Sequence, residues 1–450
     1  MIQQLLESGV INATVWFVLV AALMLRLRAP WRPSTLLIVV LAVGTMGNMA
    51  AALYRAYAVP RDVLQDVVSA RELLGGRPLY PPDMTRRMNV ALIEEGERPS
   101  LLAAWASLHQ REKDHRQEAL TSHWVQAHPP FMTLFTSPFV RFLGVLGTQI
   151  AFVVLAVLAL AATLWMLGRD LAPDLSSRSK FVILLALLGW DPVLTVLRSQ
   201  QVGLILGVLL TATWFLLRRG RPIEAGLAAG LAISLKLIPG LILPVLLMRN
   251  RRAFVSAIIT LLVMGIGTLA ATSPGDFLDF LRTSRSVVDE YAAYADNFSL
   301  LGMLARGTRD LDGGLELARV FWLGLSVMIV SAFFFQMYLS RASIRRLDLE
   351  MALVMTLMPL LSPVAWDHYL VLLILPLAVQ QTRVGWHPAL LGLLILFAIP
   401  QTTYDWLVEL FSHAGHHRLG LWLILPLRTL GVALLAMWLA RTSNSSEMDR

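Results

Sequence analysis

Apolar stretches long enough to cross a lipid bilayer recur along most of the chain, with short polar connections between them. A bilayer-spanning helix needs about 20 mostly apolar residues. The pattern predicts spans near 10–26, 34–57, 148–167, 180–198, 201–217, 254–272, 318–339, 349–362, 368–380, 388–402 and 419–440. We therefore expect an all-α, polytopic membrane protein with about 10–13 membrane helices, built as a single domain over residues 1–450.

Arginine clusters in the short connections predict the orientation of these spans. Examples are "RLRAPWR" after the first span, "RRGRP" at 218–222 and "RNRR" at 249–252. Under the positive-inside rule such loops are cytoplasmic. The opposite, external face then receives the segments 58–147, 273–317, 363–368 and 403–418, and the first of these has a charged, helical pattern typical of amphipathic surface helices.

The segment 223–248 lies between two basic loops and should leave and return on the same side. Its length is too short for two complete spans. One interpretation is a broken helical hairpin that turns inside the membrane at Pro239-Gly240, where non-helical backbone is tolerated only inside protein or beside a cavity. The alternative is a single span that violates the charge rule.

Composition supports the membrane class and excludes several others. The chain is 56% hydrophobic and 15% charged, and it contains no cysteine. A disulfide framework and thiolate metal sites are therefore excluded. The net charge of +8 resides in the short basic loops, so it does not indicate a nucleic-acid partner. We expect membrane lipids as partners and no cofactor.

Two aspartates lie four residues apart in the external segment that begins "RDVLQDVVSARELLGGRPLY". In a helix, Asp62 and Asp66 share one face, and like charges at this spacing destabilise the helix slightly. One interpretation is a hydrated pair on an exposed loop helix. The other is a catalytic carboxylate at the membrane boundary, where partial desolvation suits a general base.

Three polar residues near predicted span ends are candidate ligands for a substrate. His128, in "HPPF", could bind a phosphate or could cap a turn. Arg198 and Gln201, in "RSQQVGLIL", lie near the external end of a span. Arg198 could pair with a phosphate, or it could extend its charge to the interface.

Lys236 lies deep in the apolar segment 223–248, in "AISLKLIPG". An ionisable residue at membrane depth is costly and suggests function by default. An ion pair with Asp191 or Asp367 is the structural alternative.

Four further candidates lie in two external breaks. Asn297, in "ADNFSLLG", could bind substrate or could cap the following helix. Trp366, Asp367 and His368, in "SPVAWDHY", interrupt an apolar run. Trp366 could stack on a sugar or belong to an interfacial aromatic belt.

Taken in order, several segments resemble glycosyltransferase family 87, in the GT-C class of membrane glycosyltransferases. They are "RDVLQDVVSARELLGGRPLY", "HPPF…PF", "QQVGLILG", "GLAISLKLIPGLILP", "NFSLLG" and "SPVAWDHY…LP", and they extend over residues 55 to 376. Two positions depart from the family pattern. Val63 stands where an aromatic residue is usual, and Tyr369 stands where many relatives have a second histidine.

The resemblance implies a mannosyltransferase-like enzyme that uses a polyprenyl-phosphate-linked sugar. It implies an aspartate base in the first large external loop, which we place on Asp62 because of its distance to Tyr80, with Asp66 as the second candidate. The acceptor would be a lipid or glycan, and the reaction would invert the anomeric centre. We expect no metal, since cationic side chains can meet a monophosphate leaving group.

The resemblance also implies a location in the cell, and two alternative functions remain. We expect a multi-pass protein of the bacterial plasma (inner) membrane, with the active site on its external, periplasmic face and an extra N-terminal span. A multi-span transporter or lipid flippase is the alternative, because broken helices and a buried lysine occur there too. A non-catalytic lipid-binding scaffold is a third hypothesis.

Overall fold

The computed structural model describes residues 35–58, 62–80, 87, 128–339, 343–384 and 424–445, with a few single positions between 393 and 408. Every regular element in these ranges is helical, as the bilayer requires of a chain that must satisfy its backbone polar groups within each segment. In chain order the elements are α1 Thr35–Ala58, α2 Asp62–Leu74, α3 Pro130–Asp170, α4 Ser177–Leu188, α5 Asp191–Ser199, α6 Gly203–Arg218, α7 Pro222–Leu235, a 3₁₀ turn Ile238–Ile242, α8 Leu243–Arg249, α9 Arg251–Ala271, α10 Pro274–Tyr291, α11 Leu300–Gly307, α12 Gly314–Leu339, α13 Ile344–Leu361, a 3₁₀ segment Asp367–Leu373, α14 Ile374–Val379, a π turn Gln380–Val384 and α15 Leu427–Ser445.

Three of the described helices, α3, α9 and α12, are long and apolar enough to cross a membrane. The pair α4–α5, bent by 58°, has the length and composition of a fourth, broken span. Many of their large apolar side chains point outward, as expected where lipid rather than water covers the surface. The predicted all-α, polytopic membrane class is confirmed.

Predicted and observed spans agree best where the apolar pattern is uninterrupted. The span predicted at 148–167 lies inside α3, which begins earlier, at Pro130, and is kinked at Gly144, where φ is 66°. Three other predicted features lie outside the described residues: the N-terminal span 10–26, the surface helices at 83–127 and most of the span 388–402.

Buried and half-buried ion pairs gather at one end of the helix bundle, where the basic loops lie. They link the last turns of α3, α6 and α8 with the first turns of α13 and with the π turn. The pairs are Arg218 and Arg219 with Asp170, Arg218 and Arg383 with Asp348, and Arg249 with Glu350. This "basic end" fixes the direction of each helix. The opposite end, called here the site end, therefore contains the start of α3, the α5–α6 turn and the loop after α13.

The segment 223–248 is a hairpin, because α7 and α9 run parallel from the same end. A Cβ at Gly226 would meet Ala253 and Ala257, whereas a Cβ at Gly230 would meet Thr260, one turn further along α9. The chain between the two helices must therefore return to the basic end. The predicted hairpin is supported over the single span, although its break lies elsewhere.

The hairpin breaks at Lys236, where the backbone is extended with φ −148° and ψ 141°. Pro239 and Gly240, the predicted break, lie instead inside the following 3₁₀ turn. At 1.5 Å per residue the 14 residues of α7 rise about 21 Å, against roughly 30 Å of hydrocarbon. Lys236 therefore lies at the hairpin tip, at the end of α7 that is away from the basic end.

Close packing of α7 on α9 gives a stability prediction. A Cβ at Gly230 would lie 2.5 Å from the Thr260 Cβ, whereas one at Gly207 in α6 would meet nothing within 4 Å. We expect Gly230→Ala to destabilise the protein by about 1–3 kcal/mol through overpacking. Gly207→Ala should be neutral or slightly stabilising, because alanine favours helices. Thermal unfolding of both variants in one detergent tests this, and equal midpoints would contradict the parallel packing.

Candidate functional site

Helix α2 carries both candidate acids and packs one face on the bundle. Val63, Val67 and Ala70 recur at helical spacing and are buried in the main core. Asp62 lies in the first turn of the helix, where a negative charge interacts favourably with the helix dipole. The same packing turns Asp66 toward the protein, so the two acids occupy different surroundings although they share a helical face.

Asp66 is buried and pairs with His128. Its side chain is only 2% exposed, and Oδ1 lies 2.8 Å from His128 Nδ1. The His128 main chain is fixed as well, because the Tyr80 hydroxyl donates a 2.6 Å hydrogen bond to its carbonyl. Burial raises the pKa of Tyr80, with further contributions from Asp66 and Asp276, so this hydroxyl remains a donor at neutral pH. The structure thus brings together Asp66 and Tyr80 from the "RDVLQD…PLY" segment and His128 from the "HPPF" segment.

Asp62 is half-buried and borders an aromatic cluster. This cluster consists of Tyr291, Tyr294 and Trp366, whose ring centroids are 5.5–6.1 Å apart in edge-to-face pairs. Burial raises the pKa of Tyr291 to about 12, and the charges of Glu290 and Asp62 add to the effect. Tyr291 is therefore neutral at physiological pH, and both Glu290 and Asp62 lie close to the partly exposed rings.

Lys236, at the hairpin tip, is 8% exposed and contacts two neutral groups. Its Nζ lies 3.3 Å from Gln201 Oε1 and 3.2 Å from the Tyr369 hydroxyl, and 4.6 Å from the centre of the Tyr369 ring. Among the described residues, no carboxylate forms an ion pair with it. A buried cation with neutral partners alone is costly, which favours an anionic ligand at this position.

His368 lies in the same polar cluster. Its ring stacks on Tyr369 at 4.8 Å, and electrostatic interactions link it with Lys236 and His128. It is 4% exposed, and its Nε2 has no hydrogen-bond partner within the described part of the chain. Lys236, His128 and His368 are called the cationic cluster below, after the charge of Lys236; each histidine can contribute a hydrogen bond from a ring nitrogen.

Two arginines near the site are paired with carboxylates and differ from Lys236 in this respect. Arg198 Nη2 lies 3.1 Å from Asp191 Oδ1. Asp367 forms a buried ion pair with Arg428, whose guanidinium also stacks on the Tyr404 ring at 4.4 Å. The sequence predicted both Arg198 and Asp367 as substrate ligands. In the structure each charge has a partner within the protein, and the two ligand roles stay predictions.

Asn297 connects two loops through hydrogen bonds of its side chain, an arrangement called here the Asn297 latch. Its amide nitrogen donates to the carbonyls of Ala292 and Pro363, and its oxygen accepts from the backbone N–H groups of Ser299 and Ala365. The cap of α11 is Ser299, whose hydroxyl accepts from the Gly302 N–H. Asn297 is fully buried, and its hydrogen bonds hold the loop before α11 against the loop that carries Trp366.

Sequence reasoning missed the site contributions of Tyr291, Tyr294 and Arg428. An arginine inside the apolar segment "LILPLRTL" was the available signal, since a charge at membrane depth needs a partner. The tyrosines gave no comparable signal, because tyrosine is common at membrane interfaces. Their relation to Trp366 depends on the Asn297 latch.

The assembled site combines a half-buried carboxylate beside aromatic rings with a cationic cluster. Asp62 can accept a proton, and the cluster can stabilise an anion. Aromatic faces next to the carboxylate suit the apolar face of a sugar ring. Within the described ranges, no group of three or more histidine and acidic side chains has a metal-binding arrangement.

The helical fold, the apolar spans and this site define an integral membrane protein with a polar site at one end of the bundle. The chain belongs to glycosyltransferase family 87, whose model matches residues 126–363, more than half of its 450 residues. It is therefore a glycosyltransferase, in agreement with the resemblance and with the GT-C class. The matched segment contains His128 and Lys236, but not Asp62 or Asp66. No curated protein and no solved structure matches the chain significantly.

Proposed function

We propose that the enzyme transfers a sugar from a polyprenyl-phosphate-linked donor to a lipid or glycan acceptor, with mannose as the first sugar to test. One observation carries the proposal. Lys236 is buried at the hairpin tip without a carboxylate partner among the described residues, beside a histidine nitrogen that lacks a hydrogen-bond partner. A lipid phosphate that enters from the bilayer supplies the missing negative charge.

In the proposed reaction the two aspartates have different roles. Asp62 accepts the proton of the acceptor hydroxyl, whose oxygen attacks the anomeric carbon of the sugar. The bond between that carbon and the phosphate oxygen breaks, and its electron pair leaves with the lipid phosphate. A single displacement of this kind inverts the anomeric centre. Asp62 is assigned the base because it is half-buried near the aromatic cluster, whereas the Asp66 carboxylate is almost fully buried against His128.

Stabilisation of the leaving phosphate is assigned to the cationic cluster, with Gln201 as support for Lys236. Preorganised positive charges and hydrogen-bond donors are usually the largest catalytic term when charge develops on a leaving group. Trp366 is assigned to the sugar, and Asn297 and Asp367 to the loops that position it. Arg198, which pairs with Asp191, has a structural role in this account.

The proposed active site faces the exterior of a bacterial plasma (inner) membrane. The distribution of charge along the bundle supports this orientation: the basic loops gather at one end and the site lies at the other. Under the positive-inside rule the basic end is cytoplasmic. An aqueous acceptor or a lipid headgroup then reaches the site from the periplasmic side.

A donor panel tests the reaction class. Purified enzyme in nanodiscs is supplied with radiolabelled polyprenyl-phosphate-mannose, polyprenyl-phosphate-glucose or a nucleotide-linked mannose, together with a membrane lipid extract. We expect label in lipid or glycan products from a polyprenyl-phosphate donor and none from the nucleotide sugar. Transfer from the nucleotide sugar alone would overturn the proposal.

A further inference from the structure

A second acid in the site, Asp66, has no role in the proton transfer proposed above. It lies one helical turn after Asp62 and is almost fully buried. A base that must reach an acceptor hydroxyl needs access to it, and the His128 ring covers Asp66 Oδ1. Any effect of Asp66 on the reaction must therefore act through its contact with His128.

The geometry of the pair determines which nitrogen of His128 faces other groups. An ionised carboxylate accepts hydrogen bonds only, so Asp66 requires a proton on Nδ1 at 2.8 Å. Nε2 is then the nitrogen left for a ligand, and it has no hydrogen bond within the described part of the chain. The Tyr80 bond to the His128 carbonyl and the following Pro129-Pro130 hold the residue in place.

His128 also lies close enough to another member of the cationic cluster, His368, to interact with it electrostatically. His368 in turn interacts with Lys236. The carboxylate of Asp66 is on the far side of the ring from Nε2. The ring therefore separates Asp66 from the position where a phosphate would bind.

We propose that Asp66 is a positioning residue: its carboxylate accepts the Nδ1–H of His128 and favours the imidazolium form, whose Nε2–H donates to the lipid phosphate. The inference rests on the proposed function, because it assigns the phosphate-binding role of His128 within that site. It separates the two aspartates by role. Asp62 acts on the acceptor, and Asp66 acts on the donor through His128.

Binding of polyprenyl monophosphate, the product without its sugar, tests the pair without requiring turnover. Full-length wild type is compared with Asp66→Asn, His128→Gln and the double variant at about pH 6 and about pH 8, on either side of the ordinary histidine range. We expect each single variant to bind about tenfold more weakly or worse, as for loss of one charge-assisted hydrogen bond. The loss should be larger at about pH 6 than at about pH 8, because the proposed hydrogen bonds require a proton on each ring nitrogen.

Two features make the result specific to positioning. Because the residues act as a unit, the double variant should bind no more weakly than either single variant. Asp66→Glu should restore part of the affinity, since it keeps the carboxylate. Ser69→Ala is the matched control. Ser69 is buried on the same helix, and its hydroxyl donates a hydrogen bond to the Leu79 carbonyl. This variant should bind polyprenyl phosphate with wild-type affinity.

The outcomes separate the inference from the function on which it rests. Wild-type affinity in a folded Asp66→Asn protein that has lost transfer would overturn the positioning role and make Asp66 the base. Additive losses in the double variant would also overturn it. Failure of folded wild type to bind polyprenyl phosphate at all would instead refute the donor class, and with it the phosphate role of His128.

Discussion

Asp62→Asn is expected to reduce sugar transfer by about 10²- to 10⁴-fold, the usual contribution of a positioned general base. Asparagine keeps the size and polarity of the side chain but cannot accept the acceptor proton. Binding of polyprenyl phosphate should remain within about twofold of wild type, because no member of the cationic cluster changes. The measurement is the initial rate of transfer from labelled donor, beside the product-binding assay.

Asp279→Asn is the matched control for this variant. Asp279 is an acid on α10 that pairs with Arg282 at an exposed position. Exposed ion pairs contribute little to stability, so this variant should transfer at the wild-type rate. Full transfer by Asp62→Asn would move the base to another group, with Asp66 as the next candidate.

Lys236→Met is expected to reduce transfer by about 10²- to 10³-fold, the cost of removing one preorganised group that stabilises developing charge. The same substitution should either leave the stability of the fold unchanged or increase it. Methionine fills a similar volume, and the substitution removes a buried charge that lacks a carboxylate partner among the described residues. The thermal midpoint should therefore equal or exceed that of wild type.

Arg428→Met provides the contrast, because Arg428 is buried and paired with Asp367. Removal of one partner of a buried ion pair leaves the other charge unmatched and costs about 3–5 kcal/mol. This variant should lose stability together with transfer. If Lys236→Met unfolded as readily as Arg428→Met, the lysine would be a structural element of the hairpin and not a phosphate ligand.

Much of the fold follows from the hydrophobic pattern and the positions of arginine. Uninterrupted apolar runs predicted spans such as those of α9 and α12, and the two flanking basic loops predicted the hairpin at 223–248. The position of its break was wrong. Pro239-Gly240 is the stronger local signal, but the extended backbone at Lys236 accompanies contacts with Gln201 and Tyr369, which are distant in sequence.

The sequence indicated which residues lie near the site better than it indicated what each residue does there. Spacing along α2 placed Asp62 and Asp66 on one face, yet it could not indicate which acid meets His128, 62 positions later. The same limit applies to the cations. Arg198 and Lys236 look alike in sequence, and only their neighbours distinguish a matched charge from an unmatched one.

The most direct test of the central claim is transfer of labelled mannose from polyprenyl-phosphate-mannose by wild type, Asp62→Asn and Lys236→Met in the same nanodiscs. We expect product from wild type, a trace from either variant, and polyprenyl phosphate binding that is retained in Asp62→Asn but weakened in Lys236→Met. Transfer at the wild-type rate by both variants would contradict the site. No transfer by folded wild type from any polyprenyl-phosphate sugar would contradict the reaction.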